Sequence, residues 1–91
     1  MAELEDSSQP RLAAGCRWSG EGADRTLVFP EGALRLQETA RAILERCDGQ
    51  RTFRQIVEEL TSAYNASDPA KIRHDAKTFL RRLQEKRLVD F

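Results

Sequence analysis

Residues 43–60 read ILERCDGQRTFRQIVEEL, and their pattern sets the architecture of the second half of the chain. Ala40, Ile43, Leu44 and Cys47 follow the i, i+3, i+4, i+7 spacing of a helix with one buried stripe. Gly49 is placed to end that helix in a left-handed cap. Thr52 with Gln55 three residues on is a capping-box pattern, and Phe53, Ile56, Val57, Leu60 and Tyr64 continue as a second stripe. The connection is short, so the two helices are held against each other. The joint is a stop signal followed by a start signal, which makes it structural punctuation rather than a site.

Downstream, NASDP (residues 65–69) separates this pair from a third helix. Ser67 or Asp68 can cap it, and Pro69 suits its first turn. Its stripe is Ile72, Ala76, Phe79, Leu80 and Leu83. The last residues, RLVDF, read as a short extended piece. Upstream, TLVF (26–29) is β-branched and aromatic and reads as a strand. FPEG fits a type I turn, with Pro30 at its second position and Gly32 at its fourth. ALRL (33–36) follows, with Leu34 and Leu36 on one face and Arg35 on the other. CRWS (16–19) is a further strand candidate, and GEGADR (20–25) is a loop. The expected fold class is α+β, a three-stranded antiparallel meander followed by three helices, which is a winged helix-turn-helix-like arrangement. Residues 15–91 form the domain. Residues 1–14 are expected to be a flexible tail.

A chain of 91 residues has room for one hydrophobic core. Its apolar and charged fractions, 40% and 33%, are ordinary for a globular protein. No apolar run approaches the roughly 20 residues needed to cross a bilayer, so no membrane role is expected. The acidic start, MAELEDSSQP, lacks the basic and apolar regions of a signal peptide, so a cytoplasmic protein is expected. There Cys16 and Cys47 are expected as free thiols, Cys47 as a small buried hydrophobe. Net charge is zero but unevenly spread. From residue 71 onward Lys71, Arg73, Lys77, Arg81, Arg82, Lys86 and Arg87 face only Asp75, Glu85 and Asp90. That end of the chain suits an acidic partner.

The sequence offers little for catalysis. His74 is the only histidine, and it lies among charged residues as a surface side chain would. Asp75 adjoins it, but successive helix residues point about 100° apart and make no dyad. No phosphate loop or metal-ligand cluster is present, so no enzyme activity, metal or cofactor is expected. Two binding readings remain. Helix–turn–helix plus sheet is the parts list of a DNA-binding winged helix, but zero net charge argues against a domain that must neutralise phosphates. The other reading is peptide capture. ALRL ends the meander and lies at an edge guarded by Arg35 alone, so an extended peptide can pair with its backbone. The same edge could pair with a second copy and give a homodimer.

The run TLVFPEGALRLQETARAILERCDGQRTFRQIVEEL (26–60) resembles the PqqD family of pyrroloquinoline quinone biosynthesis. The family pattern falls on Pro30-Glu31-Gly32, Leu36-Gln37, Ala40 to Leu44, Cys47-Asp48-Gly49 and Ile56-Val57. It continues on Asp75, Phe79, Leu80 and Leu83, and covers roughly residues 16–91. Gln37 departs from the family's usual Asn, so Thr39 is expected to share the capping of the first helix. The resemblance implies a RiPP recognition element, a peptide chaperone without catalysis or cofactor. It implies that the leader of a precursor peptide, PqqA, adds beside the third strand in a cleft bordered by the third helix. It further implies presentation to the radical-SAM enzyme PqqE, or service in another peptide-modification pathway. On that basis Ala33, Leu34, Arg35 and Leu36 are expected to pair with the peptide backbone. Ile72, Asp75, Ala76 and Phe79 are expected in the cleft, Ile72 and Phe79 also suiting the core. Arg73 and Lys77 are expected to steer an acidic peptide segment.

Overall fold

The computed structural model describes residues 3–65 and 67–91. Three strands, β2 (Arg17–Ser19), β3 (Thr26–Phe29) and β4 (Gly32–Arg35), form an antiparallel meander in that order. Three helices follow: α1 (Glu38–Glu45), α2 (Phe53–Ala63) and α3 (Pro69–Glu85). Two short strands, β1 (Arg11–Leu12) and β5 (Val89–Asp90), pair antiparallel and tie the two ends of the chain together. The expected α+β class and the meander are therefore present, with this terminal ribbon added. No helix among the described residues is long and apolar enough to cross a membrane.

The hairpin between β3 and β4 sets the register of the sheet. Its loop is two residues, Pro30 and Glu31, and pairs Phe29 with Gly32, Val28 with Ala33, Leu27 with Leu34 and Thr26 with Arg35. Neither loop residue has a positive φ, which excludes the primed turns and type II and matches a turn set by the proline ring. Strand alternation then puts Leu27 and Leu34 on the helical side. Leu27 is fully buried and Leu34 half-buried, whereas Ala33 and Arg35 on the other face are exposed. Trp18 pairs with Leu27 from β2. The Arg25 guanidinium lies 4.5 Å over the Trp18 ring and pairs with Glu45 of α1, which clips the sheet to the helices.

The helices pack as their stripes require. Ile43, Leu44, Phe53, Ile56, Leu60 and Leu80 are buried together. At the start of α2, Thr52 Oγ1 accepts from the Gln55 N–H at 3.2 Å and Gln55 Oε1 accepts from the Thr52 N–H at 2.9 Å. That is the reciprocal capping box. Asp68 caps α3 by accepting from the Lys71 N–H at 3.3 Å. Its far end closes through the Leu88 N–H to the Leu83 carbonyl and the Arg87 N–H to the Gln84 carbonyl, the Schellman pattern. Arg87 occupies the left-handed position, φ 61°.

Three local expectations need correction. Gly49 does take a positive φ, 79°, but α1 has already ended at Glu45. The turn is organised by Asp48, whose carboxylate accepts from the Gln50 and Arg51 N–H groups at 2.9 and 3.0 Å. Thr39 sits inside α1, too late to cap it. Gln37 is the N-cap and contributes no side-chain cap. Tyr64 is not part of the core stripe but follows the last turn of α2, 39% exposed.

The N-terminal segment also departs from the flexible tail expected for residues 1–14. Residues 1 and 2 lie outside the described residues. From Glu3 onward the chain is packed: Leu4 is 1% exposed and Pro10 is fully buried. The reason is a need for acceptors at the start of α2. The first N–H groups of a helix have no intrahelical partner. The Ser8 carbonyl takes the Phe53 N–H at 2.7 Å, and the Asp6 carbonyl takes the Arg54 N–H at 3.1 Å. The Pro10 carbonyl takes the Gly49 N–H at 3.0 Å. The segment is thus a main-chain cap on α2, fastened by Leu4 in the core.

Candidate peptide-binding site

β4 pairs with β3 on one side and with nothing among the described residues on the other. The turn makes Phe29 and Gly32 a hydrogen-bonded pair. Alternation along an antiparallel ladder then makes Leu27 and Leu34 the next such pair. It follows that the N–H and C=O groups of Ala33 and Arg35 point away from β3, toward the open edge. Their side chains are exposed. Leu36, just past the strand, is buried and anchors the edge to the core, so the outward backbone groups are held in a fixed line.

A cavity of about 530 Å³ lies where the turn between β3 and β4 meets the end of α3, lined by Ala14 and Cys16 ahead of β2, by Phe29, Pro30 and Glu31, and by Glu85 to Leu88. Just past the end of β4, Thr39 and Ile43 of α1 share a second cavity, of about 270 Å³, with Leu60 and Tyr64 from α2. Ile72, Asp75 and Ala76 near the start of α3 complete it.

Helix geometry sorts the expected cleft residues onto two flanks of α3. Ala76, Leu80 and Leu83 are buried and mark its inner line. At 100° per residue, Ile72, Asp75 and Phe79 fall on one side of that line, Arg73 and Lys77 on the other. Ile72, Asp75 and Ala76 are brought together in the smaller cavity. Phe79 is half-buried against the core beside them. Arg73 is turned toward the N-terminal segment, where it pairs with Asp6 and lies 5.3 Å over the Phe53 ring. Lys77 shares that flank. Tyr64, Thr39, Ile43 and Leu60 also line the groove, although their sequence pattern reads only as core or cap. The one available signal is Asn65, which follows Tyr64 at φ 49° and ends the helix before Tyr64 can turn inward.

The chemistry of the region is that of contact. Burial pushes the Cys47 thiol up to about 12, and its Sγ donates to the Ile43 carbonyl. Burial likewise raises the Cys16 thiol. Neither is an activated thiolate. His74 is exposed. Among the described residues no three His, Cys, Asp or Glu side chains group as metal ligands.

The fold and the open strand together define a small winged-helix-type recognition module. The family model for coenzyme PQQ synthesis protein D (PqqD) matches residues 25–89, and the chain belongs to this family. It is 37% identical over 94 residues to a PqqA binding protein of Xanthomonas oryzae pv. oryzae, with 98% of each chain covered. It is 33% identical over 92 residues to that of Azotobacter vinelandii, covering 99% of this chain and 98% of the relative. Among solved structures it resembles the PqqD truncation of Methylobacterium extorquens PqqCD, described as a functional, stand-alone RiPP recognition element. The TM-score is 0.79 at 33% identity, over 97% of this chain and 95% of the other.

Proposed function

We propose that this protein is a peptide chaperone of pyrroloquinoline quinone biosynthesis that binds the precursor peptide PqqA along β4 and presents it to PqqE in the cytoplasm. The observation that carries this reading is the open edge of β4, with the backbone groups of Ala33 and Arg35 aimed outward beside a preformed groove. An extended peptide takes up those groups as a further strand. Main-chain pairing supplies affinity, and the groove supplies selectivity. A rigid receiving edge keeps the ordering cost on the peptide alone. The chain contributes binding and presentation, and the chemistry on the peptide belongs to the enzyme. The family membership and the relatives named PqqA binding protein support the choice of peptide.

Titration calorimetry with PqqA, followed by PqqE turnover with and without the protein, tests the proposal. Saturable one-to-one binding and modification that depends on the protein are expected. Absence of binding, or turnover indifferent to the protein, would count against it.

A further inference from the structure

We propose that the outward face of α3 is a docking surface for an acidic patch of the enzyme that receives the bound peptide. This rests on the reading of the protein as a presenter of its peptide, and it adds the surface that presentation needs. A presenter holds cargo and recipient at once, so the recipient needs a face that the cargo leaves free.

Helix geometry picks out that face. Ala76, Leu80 and Leu83 mark the buried line of α3. At 100° per residue, Lys71, His74, Thr78, Arg81, Arg82 and Glu85 point away from that line, and all six are exposed. None of them lines the groove that holds Ile72, Asp75 and Ala76. Lys71 to Arg82 spans about 16 Å of helix. Thr78, Arg81, Arg82 and Glu85 border a surface cavity of about 220 Å³, a recess open to a partner's side chain.

Charge that the chain leaves unpaired distinguishes these cations. Arg25, Arg46, Arg51, Arg54 and Arg73 each pair with a carboxylate of the same chain. Lys71, Arg81 and Arg82 have no ion-pair partner among the described residues. Arg73, further round the same helix, holds the Asp6 carboxylate of the acidic N-terminal segment. The outer cations, which no such segment reaches, complement a protein surface rich in carboxylates. A nucleic acid fits less well. The chain carries no net charge, Glu85 stands one turn on from both arginines, and the turn between β3 and β4 presents the exposed Glu31. Each opposes phosphate. No large apolar side chain shares the face, so a lipid surface would gain no insertion from it.

The test measures association of PqqE with the full chain saturated with PqqA, by biolayer interferometry at low and high salt. Arg81→Gln with Arg82→Gln should slow association about tenfold at low salt, an effect that shrinks as salt screens the charges. PqqA affinity should stay within about twofold, as expected for exposed charges outside its contact. Glutamine keeps helix propensity, and Lys71→Gln, at the other end of the face, serves if the double variant fails to fold. Arg17→Gln with Arg54→Gln removes the same net charge from exposed positions elsewhere and should slow association less than about twofold. PqqE binding the double variant as fast as the unmodified protein overturns the docking face and leaves presentation standing. Equal slowing by the Arg17 and Arg54 control does the same, because net charge alone would then set the rate. Loss of PqqA binding in the double variant assigns the face to the peptide and overturns it as an enzyme surface. Duplex DNA bound at low salt and released by the same substitutions overturns it in favour of nucleic acid. If the unmodified protein binds PqqA but not PqqE, presentation itself fails, and the docking face with it.

Discussion

Replacing Arg35 with proline isolates one backbone hydrogen bond at the open edge. The Arg35 N–H points away from β3, so the substitution removes no bond from the existing ladder. Proline is accepted at edge positions of this kind, and the extended conformation of Leu34 suits the residue before a proline. The fold should therefore persist, with an unchanged circular dichroism spectrum. A single main-chain hydrogen bond contributes about 0.5–1.5 kcal/mol net. At 1.4 kcal/mol per decade, its loss should weaken PqqA binding by about 2- to 12-fold. Arg35→Ala is the necessary control, because it removes the charge and keeps the N–H. The comparison by calorimetry is Arg35→Pro against Arg35→Ala. Equal affinity for the two folded variants would refute the assignment of that N–H to the peptide.

Four other outcomes follow from the packing. Leu4→Ala should cost about 2–5 kcal/mol, a fall in melting temperature of the order of 10 °C or more; a change below about 2 °C would mean that the N-terminal segment is not fastened as described. Arg87→Gly should stabilise the domain by up to about 1 kcal/mol, since a non-glycine residue in the left-handed region bears that cost, and thermal unfolding reads it. The hydrogen bonds from the Arg51 and Gln50 N–H groups hold the Asp48 carboxyl below its usual range. A lowered folded-state pKa stabilises above the unfolded value near pH 4 and is lost as pH falls through the folded value. The advantage over Asp48→Asn in urea melts should thus be present at pH 7 and shrink below about pH 4. Finally, Cys47 should resist thiol reagents at pH 8 until the protein is unfolded, with Cys16 reacting first.

Where local chemistry alone specifies the structure, the sequence was readable. Pro30 and Gly32 frame the hairpin, and the Thr52–Gln55 box and the Asp68–Pro69 pair start their helices where the pattern places them. The N-terminal segment was not readable because Leu4 and Pro10 are isolated apolar residues among polar ones. What orders them is a tertiary demand, the unpaired N–H groups of Phe53 and Arg54, which leaves no trace near residues 3–10. Gly49 misled for a related reason: a glycine with positive φ marks a turn, but the Asp48 carboxylate, not the helix end, set its position. At the site, charge and face must be read separately. Arg73 and Lys77 have the sign to steer an acidic peptide, yet helix geometry sets them on the flank away from Ile72 and Asp75. Tyr64 shows the converse, an apolar residue at core spacing that the end of α2 leaves at the rim of the groove.

The most direct test of strand addition is amide hydrogen exchange, residue by residue, with and without saturating PqqA. In the free protein the Leu34 N–H is protected by β3, whereas those of Ala33 and Arg35 face solvent. Bound peptide should slow exchange at Ala33 and Arg35 and leave Leu34 nearly unchanged. If the peptide is bound and both outward amides still exchange as in the free protein, it does not pair with β4.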